Sequence, residues 1–183
     1  LVDMSGSMSG DKLFYAMTAS ILMNEVCTTL GIPLEITGFT DTAKGSGIYP
    51  LQFIYKGFNN TVVSQDNLID YFLDSSPSMC GNPDGENILW AYDRLMHRKE
   101  KRRILIVMSD GSPAASKGTA GLASFTLKAI QEIEQQKKAH IIGLGLCSDS
   151  VRHYYTTNQI VDKPEEIPSK LLGLFEQEIL FTK

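Results

Sequence analysis

The sequence predicts an α/β domain: a doubly wound, mostly parallel sheet with helices on both faces and one antiparallel edge strand. Three observations predict it. Residues 104–108 (Ile-Leu-Ile-Val-Met) and 140–146 (His-Ile-Ile-Gly-Leu-Gly-Leu) are short, nearly continuous apolar runs, as strands buried on both faces of a parallel sheet should be. Segments with apolar residues at helical spacing alternate with the strands, which implies parallel crossover connections. Residues 34–39 and 51–55 read as strands with no helix between them, so they are expected to pair as an antiparallel edge hairpin.

Taken in order, Leu1-Val2 reads as the tail of a truncated first strand, so a longer chain with a segment upstream of Leu1 is expected. Asp11 to Leu30 is a helix, with Leu13, Met17 and Ile21 beside Ala16, Ser20, Met23 and Cys27 as its apolar face, stopped by Gly31 and Pro33. Leu34–Phe39 and Leu51–Tyr55 are the hairpin strands, joined by a polar loop. Asp66–Leu73 is a short amphipathic helix, Ser75–Pro83 a loop, and Asn87–Met96 a helix. The basic run His97–Arg103 is read as a solvated connection before the strand Ile104–Met108, with a docking patch for an acidic partner as the other reading. Thr119–Lys138 is a helix, His140–Leu146 a strand, Gln159–Val161 a short strand, and Pro164–Phe181 a closing helix carrying Ile167, Leu171, Leu174, Phe175 and Ile179.

The 183 residues suit one domain, residues 1–183, with 43% apolar and 21% charged content. A formal charge of −4 gives no electrostatic reason to expect nucleic acid or an anionic membrane as partner. No apolar run in the sequence approaches the roughly 20 residues needed to span a bilayer, and no signal peptide is visible. Cys27, Cys80 and Cys147 are odd in number and widely spaced without a C-x-x-C. A disulfide framework or zinc site is not expected, Cys27 and Cys147 are expected in apolar surroundings, and a reducing cytoplasm fits this usage.

The chemistry concentrates in residues 1–10, Leu-Val-Asp-Met-Ser-Gly-Ser-Met-Ser-Gly. Asp3, Ser5 and Ser7 form D-x-S-x-S, one carboxylate and two hydroxyls at every second position, so an extended loop can aim all three oxygens one way. Hard divalent cations take such oxygen ligands, although Asp, Ser and Gly are also ordinary turn residues. A second acidic turn, Ser109-Asp110-Gly111-Ser112-Pro113, follows the apolar strand 104–108. In doubly wound sheets ligands bind beyond the carboxyl ends of the strands, where strand order reverses. Asp3 and Asp110, each just past a strand, can therefore meet at one rim.

These residues resemble a known family, the von Willebrand factor type A (VWA) domain with a metal-ion-dependent adhesion site, whose fold is Rossmann-like. A narrower set, Asp84-Gly85-Glu86-Asn-Ile-Leu-Trp90-Ala91 and Arg102-Arg103-Ile-Leu-Ile-Val-Met-Ser-Asp110-Gly111-Ser-Pro113, is similar to the C-terminal domain of the CobT subunit of cobaltochelatase. Phe39-Thr40-Asp41, Tyr154-Tyr155 and Ile160-Val161-Asp162 share that likeness. The resemblance implies a non-catalytic docking module that works with an AAA+ ATPase (CobS- or MoxR-like) and a large chelatase subunit inserting cobalt into a corrin. It implies Mg²⁺, or Mn²⁺ or Ca²⁺, held by Asp3, Ser5, Ser7, Glu86 and Asp110, with a partner's acidic side chain completing the coordination. Glu86 stands near the place where most type A domains carry Thr. A third carboxylate there should strengthen cation binding and weaken the pull on an acidic partner; as a helix-terminal residue Glu86 would instead serve the dipole, and Asp84 would serve as N-cap.

Three other functions are open to the sequence. A metal-dependent phosphohydrolase would use Asp3 as nucleophile, but it needs a second acid where Ser5 stands. A serine hydrolase lacks its G-x-S-x-G elbow, and His97, His140 and His153 are scattered over a basic linker, a strand start and a loop. An extracellular adhesion module fits poorly with three unpaired cysteines. A VWA adaptor of a MoxR-like chaperone unrelated to corrins shares every feature with the chelatase reading.

Overall fold

The middle of the sheet is its shortest strand. The computed structural model describes residues 1–44, 47–60, 62–116, 118 and 120–175. In it β1 (Val2–Asp3) lies between β2 (Ile36–Lys44) and β4 (Ile104–Ser109), parallel to both, with Val2 opposite Gly38 and Met108. The full order is β3-β2-β1-β4-β5-β6, with β3 (Gly47–Lys56), β5 (His140–Leu146) and β6 (Thr157–Val161). Every pairing is parallel except that of β2 with β3, the expected edge hairpin.

Chain direction across the sheet reverses at β1. From β1 the chain runs outward through β2 to β3, then returns to the other side of β1 and continues through β4, β5 and β6. This puts the topological switch between β1 and β4, the crevice where such sheets bind ligands.

The helices divide as the winding requires. One core packs α1 (Asp11–Leu30), α2 (Gln65–Ser75) and α5 (Ile167–Phe175) on the sheet through Ala16, Ala19, Met23, Phe72, Ile167 and Leu171. The other face holds α3 (Asp84–Met96) and α4 (Leu122–Gln136), with Ile88, Ala91, Ile130 and Ile133 against Phe39, Leu105 and Val107. Alternation along a strand feeds both: Val2 belongs to the first core and Leu1 to the second. Gly31 ends α1 at φ 66° in the left-handed region, where its N–H and that of Ile32 close back onto Thr28 O and Cys27 O.

Several boundaries differ from those expected. β2 runs on through Thr40–Lys44 and β3 starts at Gly47, because backbone pairing between the two strands carries the ladder over polar residues. α3 begins at Asp84, three residues before Asn87, and α5 begins at Ile167 after a 3₁₀ turn over Pro164–Glu166. The expected helix start at Thr119 and the expected stretch 176–181, with Ile179, lie outside the described residues. Cys27 is buried, but Cys147 is exposed at φ 52° past the end of β5, and the three cysteines are unpaired.

Among the described residues α1 is a helix long and apolar enough, by length and composition, to cross a membrane. Here it is a domain helix, with six residues from Ala16 to Cys27 buried against the sheet and its neighbours. The run 97–103 is tied to the domain: Arg98 pairs with Glu100 at 2.9 Å and lies over the Phe58 ring at 4.9 Å, and Arg103 donates to Arg98 O.

Candidate functional site

Three loops meet at the carboxyl end of β1. The first carries D-x-S-x-S. Asp3 is fully buried, and its Oδ1 accepts the Ser5 N–H at 2.7 Å while Oδ2 accepts the Ser109 hydroxyl at 3.0 Å. Ser5 Oγ and Ser7 Oγ are 3.0 Å apart, and Ser7 Oγ donates to Asp110 Oδ1 at 2.9 Å. Lys12, in the first turn of α1, places its ammonium against Asp110 Oδ2 and 3.3 Å from Ser7 O. Gly10, at φ 81°, makes the turn from this loop into α1. Exposure grades outward: Asp3 and Ser5 are buried, whereas Ser7 is exposed.

The other two loops are stitched to the first through backbone and short polar side chains. Gly6 N–H donates to Cys80 O at 2.8 Å. Asn82 and Ala114 exchange backbone hydrogen bonds, and the Asn82 amide also donates to Ser112 O and to Asp84 Oδ2 at 2.9 Å. Asp41, from β2, accepts Gly81 N–H at 2.9 Å on one oxygen and Ser116 N–H at 2.7 Å on the other. No side chain fits at Gly81, where an added Cβ would lie 2.7 Å from both Asp41 Oδ2 and Ser116 N.

The electrostatics are those of crowded, buried carboxylates. Burial, less the pull of the Ser5 and Ser109 donors, raises the Asp3 pKa from 3.8 to about 7, with the Asp110 charge adding to the rise. Burial and then the charge of Asp3 push Asp84 well above the usual carboxylate range. Tyr155 is pushed up by burial and by the same two acids. Asp41 goes the other way: burial opposes ionisation, but the N–H donors of Ser116 and Gly81 outweigh it.

Of the five expected ligands, Asp3, Ser5, Ser7 and Asp110 therefore gather into one hydrogen-bonded group. Glu86 lies in the first turn of α3, half-buried, with Oε2 buried and without a hydrogen-bond partner. The acid that feels the charge of Asp3 is Asp84, the first residue of α3, one past the Pro83 that caps the helix. Among the described residues no three His, Cys, Asp or Glu side chains form a metal-holding cluster. The gathered set mixes two carboxylates with two hydroxyls, an all-oxygen chemistry that fits a small hard cation rather than a soft one.

A cleft of about 10 Å³ beside Asp84, Ser109 and Tyr155 is water-sized. A cavity of about 430 Å³ lies at the opposite end of the sheet, between Ile36 of β2 and Ile104 of β4, away from the acids. His97, His140 and His153 are exposed, and His97 Nδ1 lies 2.8 Å from Asp93 O of its own helix.

Comparison with known proteins adds three findings. The family model described as "Cobalamin biosynthesis protein CobT VWA domain" matches residues 1–78 and 70–175. The chain is 32% identical over 126 residues, 63% of its length, to "Uncharacterized protein YojO" of Bacillus subtilis (strain 168), and spans 18% of that protein. Among solved structures, the pilus adhesin SpaC from Lactobacillus rhamnosus GG matches 97% of this chain and 30% of its own, with TM-score 0.67 and 12% identity. Proximal thread matrix protein 1 from the mussel byssus matches 94% and 44%, with TM-score 0.58 and 15% identity. At these identities the two structures share the fold, and the chain spans less than half the length of each relative.

Proposed function

This chain belongs to the CobT VWA-domain family of cobalamin biosynthesis, and from that premise we propose that it is a metal-dependent docking module. Its setting is a CobT-like subunit that works with an AAA+ ATPase in a cobaltochelatase-type complex. One observation carries the reading: side chains from two loops about a hundred residues apart, Ser5 and Ser7 against Asp110, form a continuous hydrogen-bonded set of oxygens beside buried Asp3.

The chain's own groups account for each requirement of such a site. Ser5 and Ser7 offer neutral hydroxyl oxygens, while Asp3 and Asp110 supply charge from below and from the side. Asp84 is a further buried carboxylate nearby; burial first and like charge second raise its pKa and that of Asp3, and a cation would offset both. When bound, Mg²⁺ or a similar ion supplies a Lewis-acidic position that a partner's Asp or Glu completes. Ser7 is the exposed member, so the open side of the site faces the direction from which a partner arrives. Asp3 is a poor nucleophile here, since both of its oxygens are engaged and it is shut away from solvent.

The test is capture of the AAA+ partner by this protein with and without EDTA. Loss of capture on chelation, restored by Mg²⁺, is the expected result. Capture that survives EDTA removes the metal bridge.

A further inference from the structure

We propose that Lys12 is a tethered counter-cation: it holds the metal-free rim together and has to leave Asp110 when a divalent ion binds. The inference rests on the metal-site reading above and deepens it by naming what competes with the ion.

The argument starts from which oxygens are already taken. Asp3 spends both carboxylate oxygens on donors fixed in the fold, the Ser5 N–H and the Ser109 hydroxyl. Asp110 gives Oδ1 to Ser7, and its Oδ2 is held by Lys12. Lys12 is a different kind of partner. Its ammonium ends a flexible four-carbon stem rich in rotamers, and its side chain is 31% exposed while that of Asp110 is 2% exposed. It can retreat to water without unfolding anything; Asp110 cannot.

Its placement also makes retreat necessary. The ammonium touches Asp110 and approaches Ser7 O, so it abuts both the exposed member of the set and the buried carboxylate that member bonds. A divalent ion on the Ser5 and Ser7 hydroxyls would share Asp110 with a positive charge only a few ångströms away, a repulsion that partly desolvated surroundings screen weakly. Without the ion, Lys12 is the cation paired with these acids among the described ion pairs. One residue thus supports the empty rim and weakens the filled one.

Three measurements on the full chain test this. Calorimetry with Mn²⁺ and Mg²⁺ is expected to show Lys12→Met binding about tenfold more tightly than wild type, with Lys12→Arg close to wild type. In EDTA, Lys12→Met is expected to melt a few degrees lower, because Asp110 loses its charge partner. Acylation of Lys12, followed by mass spectrometry, is expected to quicken when Mg²⁺ saturates the wild-type protein. Equal or weaker ion binding by Lys12→Met, or an acylation rate indifferent to bound Mg²⁺, overturns the role of Lys12 and leaves the metal site standing. Absence of ion binding in both proteins overturns the metal site itself, and Lys12 with it.

Discussion

Asp41 accepts the backbone N–H of Ser116 at 2.7 Å, joining the second strand of the sheet to a loop 75 residues further along the chain. Its other oxygen holds Gly81, so a single carboxylate fastens two of the three rim loops. Hydrogen bonds to a charged acceptor are worth about 1.5–3 kcal/mol each when a partner is lost. Asp41→Ala is therefore expected to cost about 2–4 kcal/mol in urea unfolding, with Asp41→Asn falling between. An unchanged midpoint for the alanine variant would mean the loops are held by something else.

Whether Asp84 or Glu86 serves the proposed metal site is distinguishable by mutation. Asp84 sits within the electrostatic reach of Asp3 and Asp110, whereas Glu86 Oε2 is buried without a hydrogen-bond partner. Asp84→Asn is expected to weaken Mg²⁺ binding about tenfold or more, and Glu86→Gln by much less. If Glu86→Thr lowers both ion and partner affinity while Asp84→Asn lowers neither, the ligand is Glu86.

The pH dependence of stability has a definite sign. Asp3 in the folded protein titrates near 7, above its ordinary value of 3.8, so the folded state holds the proton more tightly. The stabilisation is complete below about pH 4 and is lost as pH rises through about 7. Asp84 is shifted in the same direction and adds to the trend. In EDTA the protein should melt higher at pH 5 than at pH 8, with Asp3→Asn flattening the difference. Saturating Mg²⁺ should shrink it too, because the ion favours the ionised carboxylates.

A glycine of β5 makes a separate test of the packing beneath the rim. A Cβ at Gly145 would stand 2.2 Å from the backbone oxygen of Ser148 and 2.9 Å from Val151. Backbone cannot swing aside as a side chain does, so Gly145→Ala is expected to cost about 2 kcal/mol or more in chemical denaturation. Ion binding should weaken less than stability does, since the clash falls on Ser148 and Val151 rather than on a proposed ligand.

The strands at 104–108 and 140–146 could be read from sequence because burial on both faces demands unbroken apolar runs. Thr40–Lys44 could not, because its pairing with β3 depends on backbone register and leaves no apolar pattern. D-x-S-x-S and Asp110 were visible as strand-end turns, and they do meet. Glu86 is expected as a ligand from the family resemblance and Asp84 only as an N-cap, whereas α3 starts at Asp84, one residue past its cap Pro83, and Asp84 lies within the field of Asp3. The local sign was the proline, which favours the first position of a helix or the one before it. Lys12 had no local sign, since its partner lies 98 residues away.

Asn82 gives this rim its mechanical character. One short amide side chain bonds Asp84, the carbonyl of Ser112 and the N–H of Ala114. Under the docking role proposed above, displacement of the 112–114 segment would be delivered straight to the Asp84 carboxylate, with no slack side chain in between. Grip strength and load would then be one variable, as in a latch that tightens or slips according to how it is pulled.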